Sequence, residues 1–191
     1  PHVLPARMTA PSHRNALMQP LARFCSDKGS WWMSRHHSAT AYHALLEPIR
    51  HRVRNMIEVG IGEDTAPSIA AWKRYFSNAQ IHAIEIATAQ DRESRRTSGV
   101  LARLKARQRA AGCEHDDDLW DDRTHLTLGT DATDAAQLRR AVLPARGSAE
   151  VVIDDGSHKT PDQDATLSLL WQYVAPGGFY IIEDIVVGEL P

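Results

Sequence analysis

The chain has 191 residues, 22 Lys+Arg against 24 Asp+Glu, and a formal net charge of −2 with its 10 histidines neutral. That length fits one domain with an appendage. The 42% hydrophobic and 24% charged content excludes wholesale disorder, and the near-zero net charge gives no electrostatic reason to expect nucleic acid. No apolar run approaches the roughly 20 residues that span a bilayer, so no membrane partner is expected. Cys25 and Cys113 stand far apart without CxxC spacing, which argues against a disulfide scaffold or a structural zinc site.

Residues 1–26 carry Arg7, Arg14 and Arg23, four prolines, and no acid before Asp27. This start reads as a flexible or cloned leader, or, more weakly, as an organellar targeting segment; it lacks the apolar stretch of a secretory signal. The opening at Pro1 also fits a fragment. Residues 27–54 are expected to form an N-terminal helical cover, and 55–191 a core with an insertion at 87–123.

Helical spacing of Tyr42, Leu45, Leu46, Ile49 and Val53 predicts a helix over 40–54. A buried strand follows at 55–60, then a helix over 66–76 with Ile69, Trp72, Tyr75 and Phe76 on one stripe, and a second strand at 80–86. Residues 91–112 read as one long Arg-rich helix ended by Gly112, followed by an acidic loop at 114–122. The remaining elements are a strand at 124–129, a helix at 134–142, a strand at 150–155, a helix at 161–174 opened by Pro161, a Pro176-Gly177-Gly178 turn, and a strand at 179–185. Alternating strands and helices predict an α/β fold, a doubly wound, mostly parallel sheet. The long insertion is either a lid or partner-binding arm, or a solvated, charge-balanced surface hairpin.

Two constellations carry candidate chemistry. Glu58, Gly60 and Gly62 follow the first strand, and Glu85 ends the second. Glycines there let a ligand approach the backbone, and an acid at the end of the second strand suits a ribose hydroxyl pair. The third glycine of a dinucleotide loop is missing, and Glu63, Asp64 and Pro67 suit a diphosphate poorly. A nucleoside without phosphates therefore fits better, with Asp131 near its base; a turn that binds nothing is the plainer alternative. The second constellation is Asp154, Asp155 and His158 after the fourth strand, with Glu183 and Asp184 ending the fifth. If these strands are neighbours, Asp155, Glu183 and Asp184 converge, and crowded carboxylates require a cation or protons. An all-oxygen set favours Mg²⁺, and His158 is placed to act as general base. The alternative is that Asp154 and Asp155 cap the following helix while Glu183 and Asp184 are solvated.

Asp27-Lys28-Gly29-Ser30, Ile57-Glu58-Val59-Gly60, Trp72-Lys73-Arg74-Tyr75-Phe76, Asp154-Asp155-Gly156-Ser157-His158 and Pro176 through Glu183-Asp184 occur in one order. Over residues 25–185 the sequence resembles the metal-dependent, S-adenosylmethionine-dependent sugar O-methyltransferases of the macrocin and mycinamicin type. The resemblance implies a Rossmann-like class I methyltransferase fold, with S-adenosylmethionine over the Glu58–Gly62 turn. It also implies Asp155, Glu183 and Asp184 as Mg²⁺ ligands and His158 as the base. Lys28 would then contact the cofactor carboxylate or the substrate, and Trp31, Trp32, His36, His37, Tyr42 and His43 would wall a sugar or simply pack on the sheet. Such a sheet normally continues past strand five, where this sequence stops at Pro191. A fragment, a partner such as a second copy, or the N-terminal segment covering that edge are the alternatives.

The expected function is Mg-assisted O-methyl transfer to a hydroxyl of a sugar or glycosylated natural product, a small-molecule acceptor. Rival readings are a methyltransferase of small phenolics, a cephalosporin-hydroxylase-like relative, or a non-catalytic cofactor-binding remnant. The expected location is the cytoplasm, with the targeting reading of the leader left open.

Overall fold

The computed structural model describes residues 17–28, 38–62, 65–142 and 148–185. Residues 1–16, the stretch 29–37 with Trp31, Trp32, His36 and His37, and Glu63-Asp64 lie outside the described residues. Five strands form one parallel sheet in the order β3-β2-β1-β4-β5, with β1 Asn55–Val59, β2 Gln80–Ile84, β3 Thr124–Thr127, β4 Ala149–Asp154 and β5 Val174–Ile182. The order reverses between β1 and β4, so the crevice beyond their carboxyl ends is the natural ligand position.

The central strands are continuous apolar runs because both of their faces are covered. Met56, Ile81, Val151 and Ile153 face one layer, made of α3 (Pro67–Tyr75) and the N-terminal elements α1 (Met18–Arg23) and α2 (Ser38–Leu46). Ile57, Ile84 and Val152 face the other, against α6 (Ala135–Val142) and α7 (Thr160–Leu170). Successive strand residues point to opposite faces, which assigns each to its layer. Trp72 is the largest side chain of the first layer and is fully buried, stacked on Phe76 and edge-on to Tyr42.

Several expectations need correction. The predicted helix over 91–112 is two helices, α4 (Ala89–Thr97) and α5 (Val100–Ala110). Thr88 and Asp91 close a capping box at the start of α4, and Gly99, at φ 74°, breaks the chain direction between the two. The helix expected over 161–174 ends at Leu170 and tightens into a 3₁₀ turn at Trp171–Tyr173. The Pro176–Gly178 turn lies inside β5, as a bulge that sets Ala175–Gly178 against Glu150 alone. A Cβ on Gly178 would lie 2.7 Å from the Glu150 carbonyl oxygen, so glycine is needed there. Pro176 is tolerated because β5 is an edge strand among the described residues. Finally, Cys25 and Cys113 are joined in a disulfide across 88 residues, with Cα atoms 5.5 Å apart. Spacing carried no sign of it because the pairing is tertiary: Glu114 donates its backbone N–H to Arg23 and pairs with the Arg23 side chain, bringing the end of α5 onto α1.

His82 lies on β2 beside Ile57 and His125 in register, stacked on His125 with its centroid 5.1 Å away. Burial, with His125 adding to it, pushes the His82 imidazole down from 6.5 to about 4. The neutral ring is the folded form, so this group contributes stability above its unfolded pKa that is lost as pH falls from 6.5 toward 4. The loss is at most about 3 kcal/mol. Urea unfolding at pH 7 and pH 4 should show a smaller acid loss in His82→Leu than in the parent; equal slopes would remove His82 from the acid sensitivity. Among the described residues no helix is long and apolar enough to cross a membrane.

Candidate active site

The turn after β1 sets the floor of the site. Gly60, at φ 79°, packs so closely on the end of β4 that a Cβ would lie 2.1 Å from the Asp155 carbonyl oxygen. Its N–H bonds to Ile84 and the Asp155 N–H to Val59, which ties the ends of β2, β1 and β4 together. Above this floor is a cleft of about 470 Å³, lined among others by Gly60, Gly62, Glu85, Asp131, Asp155, His158 and Asp184. A recess of about 540 Å³ between α6 and the end of α7 with the turn after it is larger, but it has arginines as its only charged lining and no converging acids.

Glu85 reaches back to β1: its carboxylate accepts from the N–H of Ile61 at 3.2 Å and of Ala87 at 2.9 Å. A carboxylate has about four acceptor positions, so capacity remains for ligand hydroxyls. Asp131 also borders the cleft, where its Oδ1 accepts from the Thr133 N–H and hydroxyl. Glu58 is placed elsewhere. It is fully buried under the β1 turn, outside the cleft lining, with an oxygen 3.6 Å from the Lys28 ammonium. Burial pushes its carboxyl up to about 8 against the opposing charge of Lys28.

The acids at the ends of β4 and β5 do meet, since these strands are paired. Asp155 Oδ2 and Glu183 Oε1 lie 2.5 and 2.7 Å from Lys28 Nζ. Glu183 Oε1 also accepts from the Tyr42 hydroxyl. Lys28 is 1% exposed. Burial alone would lower its pKa, but Glu58, Glu183 and Asp155 outweigh that and hold the ammonium charged. Burial pushes the Asp155 and Glu183 carboxyls upward, with Lys28 pulling against it. On the cleft side, Asp155 Oδ1 is 3.8 Å from His158 Nε2, and Asp184 Oδ2 is 3.9 Å from His158 Nδ1. Asp155, His158 and Asp184 offer ligand atoms all within 4.8 Å of one another. Asp154 also borders the cleft but stands outside this group: its carboxylate accepts from the Gly156 N–H and the Tyr180 hydroxyl.

Of the three expected metal ligands, then, Asp155 and Asp184 share the cleft, while Glu183 turns inward to Lys28 and Tyr42. Lys28 and Tyr42, read as groups facing a cofactor or a sugar, are both buried. Their partners lie 127 and 141 residues along the chain, a pairing no local pattern reveals. His158 and Asp184 both hold left-handed backbone, at φ 59° and 49°. That conformation is costly for non-glycine residues and concentrates at functional sites.

No protein-family model matches the chain. It is 30% identical over 96% of its length to L-olivosyl-oleandolide 3-O-methyltransferase of Streptomyces antibioticus. It is also 30% identical over 82% of its length to 8-demethyl-8-alpha-L-rhamnosyl tetracenomycin-C 2'-O-methyltransferase of Streptomyces olivaceus. The chain is similar to the sugar O-methyltransferases of natural-product pathways. It spans 39% and 35% of the length of these two relatives. Among solved structures it superposes, with a TM-score of 0.65 and 23% identity, on a MycE methyltransferase from the mycinamycin biosynthetic pathway in complex with Mg, SAH and mycinamycin VI. That match covers 91% of this chain and 40% of the MycE chain. The chain thus shares the parallel α/β fold of that methyltransferase, the fold the resemblance implied. The MycE chain shares with this chain the sheet whose β1, β2, β4 and β5 ends build the cleft.

Proposed function

We propose that the chain carries the S-adenosylmethionine-binding and methyl-transfer core of an O-methyltransferase acting on a sugar hydroxyl of a glycosylated small molecule. One observation carries this reading: a single cleft brings the nucleoside-type residues Gly60, Gly62, Glu85 and Asp131 alongside Asp155, His158 and Asp184. The names of the similar enzymes, all O-methyltransferases, support it. The donor chemistry also fits a divalent ion, because the carboxylates of Asp155 and Asp184 face one point.

S-adenosylmethionine would lie over the Gly60–Gly62 turn with its ribose at Glu85 and its base toward Asp131, and it supplies the methyl group. Mg²⁺ would be held by Asp155 and Asp184, with Glu183 behind them, and supplies positive charge that lowers the pKa of an acceptor hydroxyl. The chain's own groups do the rest. His158 stands between the two carboxylates, with Nδ1 3.9 Å from Asp184 Oδ2 and Nε2 3.8 Å from Asp155 Oδ1. Its neutral ring would accept the hydroxyl proton. The apolar end of β1 and the β4 turn restrict water on the inner side of the cleft, and the fixed carboxylates set the approach of the acceptor. The acceptor class and a cytoplasmic setting belong to this same reading.

Calorimetry with S-adenosylhomocysteine, with and without Mg²⁺, tests it directly. Binding should be detected, and Glu85→Ala should weaken it roughly 10–150-fold through loss of charge-assisted hydrogen bonds. Unchanged affinity in Glu85→Ala would move the ribose away from β2. No heat for the parent chain would overturn the methyltransferase reading.

A further inference from the structure

Both cysteines of the chain enter one bond. The disulfide between Cys25 and Cys113 ties the residues just after α1 to those just after α5, and no third cysteine is present to exchange with it. Cys25 is half-buried while Cys113 is 7% exposed, so a thiol in solution meets the bond from the Cys25 side. Cys25 also holds left-handed backbone, at φ 53°, which is costly for a non-glycine residue. Two residues further on, the chain reaches the cleft. Asp27 is part of the lining, and its Oδ1 accepts the Lys28 N–H at 2.9 Å. Ser26, between them, is buried and donates its N–H to Leu21. The disulfide and the cleft rim therefore belong to one short turn. Opening the bond would leave the rest of this corner in place. Arg23 and Glu114 are also paired through a side-chain contact and a backbone hydrogen bond, and Leu21 and Phe24 sit in the core.

We infer that the Cys25–Cys113 bond is a redox switch on the cleft: oxidised, it holds the Asp27 rim in place for the cofactor; reduced, it frees that rim, and the cofactor binds more weakly. This rests on the proposed reading of the cleft as the S-adenosylmethionine site. The step needs a dithiol reductant. One of its thiolates attacks the Cys25 sulfur, the S–S bond breaks, and Cys113 leaves as a thiolate that takes a proton. The second thiol of the reductant then displaces Cys25 and closes the reductant's own disulfide. Two electrons and two protons pass to the chain. In the reduced chain the costly backbone at Cys25 can relax, the rim spreads over several positions, and the ligand binds only the competent fraction. A rim correctly placed about one-tenth of the time weakens the apparent affinity about tenfold. Such coupling is reciprocal. The ligand must favour the oxidised form by the same factor, which for a two-electron couple is about 30 mV. A compartment that keeps thiols reduced then holds the chain in its weaker-binding form.

Two measurements on the full chain must agree. Calorimetry with S-adenosylhomocysteine should give about tenfold weaker binding in dithiothreitol than in the oxidised chain. A redox titration with dithiothreitol, read by thiol alkylation and mass spectrometry, should place the midpoint about 30 mV lower when S-adenosylhomocysteine is saturating. Cys113→Ser should bind like the reduced parent and ignore dithiothreitol. Equal affinity in both redox states, or an unmoved midpoint, overturns the switch. Hydrogen exchange checks that the effect is local: reduction should speed exchange at residues 24–28 while β1 and β4 keep their protection. Protection lost across the sheet would make the bond a staple of the whole fold and overturn the proposal without any variant. Two free thiols in the chain before reductant is added would overturn it as well. If neither redox state binds S-adenosylhomocysteine, the cofactor reading falls and the switch with it. If both bind alike, only the switch falls.

Discussion

His158→Ala is expected to cut turnover by about 10²–10⁴-fold, the usual contribution of a positioned general base. The side chain stands at the mouth of the cleft, 37% exposed, with Nε2 and Nδ1 facing Asp155 and Asp184. Its backbone is left-handed, φ 59°. Nothing in this geometry touches Glu85 or the Gly60 turn, so affinity for S-adenosylhomocysteine should stay within about twofold of the parent, far below the tenfold that 1.4 kcal/mol gives. Methyl transfer from labelled S-adenosylmethionine to a set of glycosylated macrolides, paired with calorimetry, reads both quantities. A variant that retains full turnover would assign the proton to water or to another group. One that loses cofactor binding in proportion would show His158 to be part of the nucleoside site.

Breaking the disulfide is expected to have the largest effect on stability. A loop of 88 residues is closed by Cys25 and Cys113, and the chain-entropy estimate for such a loop is about 4–5 kcal/mol. Cys113→Ser, or the parent in dithiothreitol, should therefore melt roughly 10–15 °C below the oxidised chain. Identical midpoints with and without reductant would show that the bond adds nothing. The bond also bears on where the protein works. A cytoplasmic location was the expectation from sequence, and that compartment keeps most thiols reduced. In such a setting α1 would be held to the end of α5 by Arg23 and Glu114 and by the Glu114 N–H bond to Arg23.

The sheet was readable because each central strand is a short apolar run bounded by glycine or acid, as in Met56–Gly60 and Val151–Asp155. The carboxyl-end acids were readable for the same reason: charge directly after a buried strand has to lie at its mouth. What escaped was tertiary. Gly99 had to be seen as a break within an Arg-rich run, and the Ser98-Gly99 pair was the available signal. The Pro176–Gly178 bulge was visible as a turn, yet only the register with Glu150 shows that the strand starts before it. Lys28 and Glu58, expected at the ligand, lie buried outside the cleft lining for a physical reason. Position relative to a strand says that a side chain is near the site, but not whether it faces the ligand or is buried beneath it. Glu183 and Asp184 are adjacent, and the strand pleat with the left-handed φ of Asp184 sends one inward and the other to the cleft.

The separation of Lys28 from its partners has a consequence for how the protein acquires its site. β1 to β4 can pair, and Trp72 can pack under them, while Lys28 has only Glu58 and Asp155 to meet. Glu183 enters when β5 docks on β4, 141 residues after Tyr42 has left the ribosome. Contacts of such long range are slow to form because the chain between them must first be ordered. The acid centre is therefore expected to be completed only when β5 docks on β4, the edge pairing among the described residues.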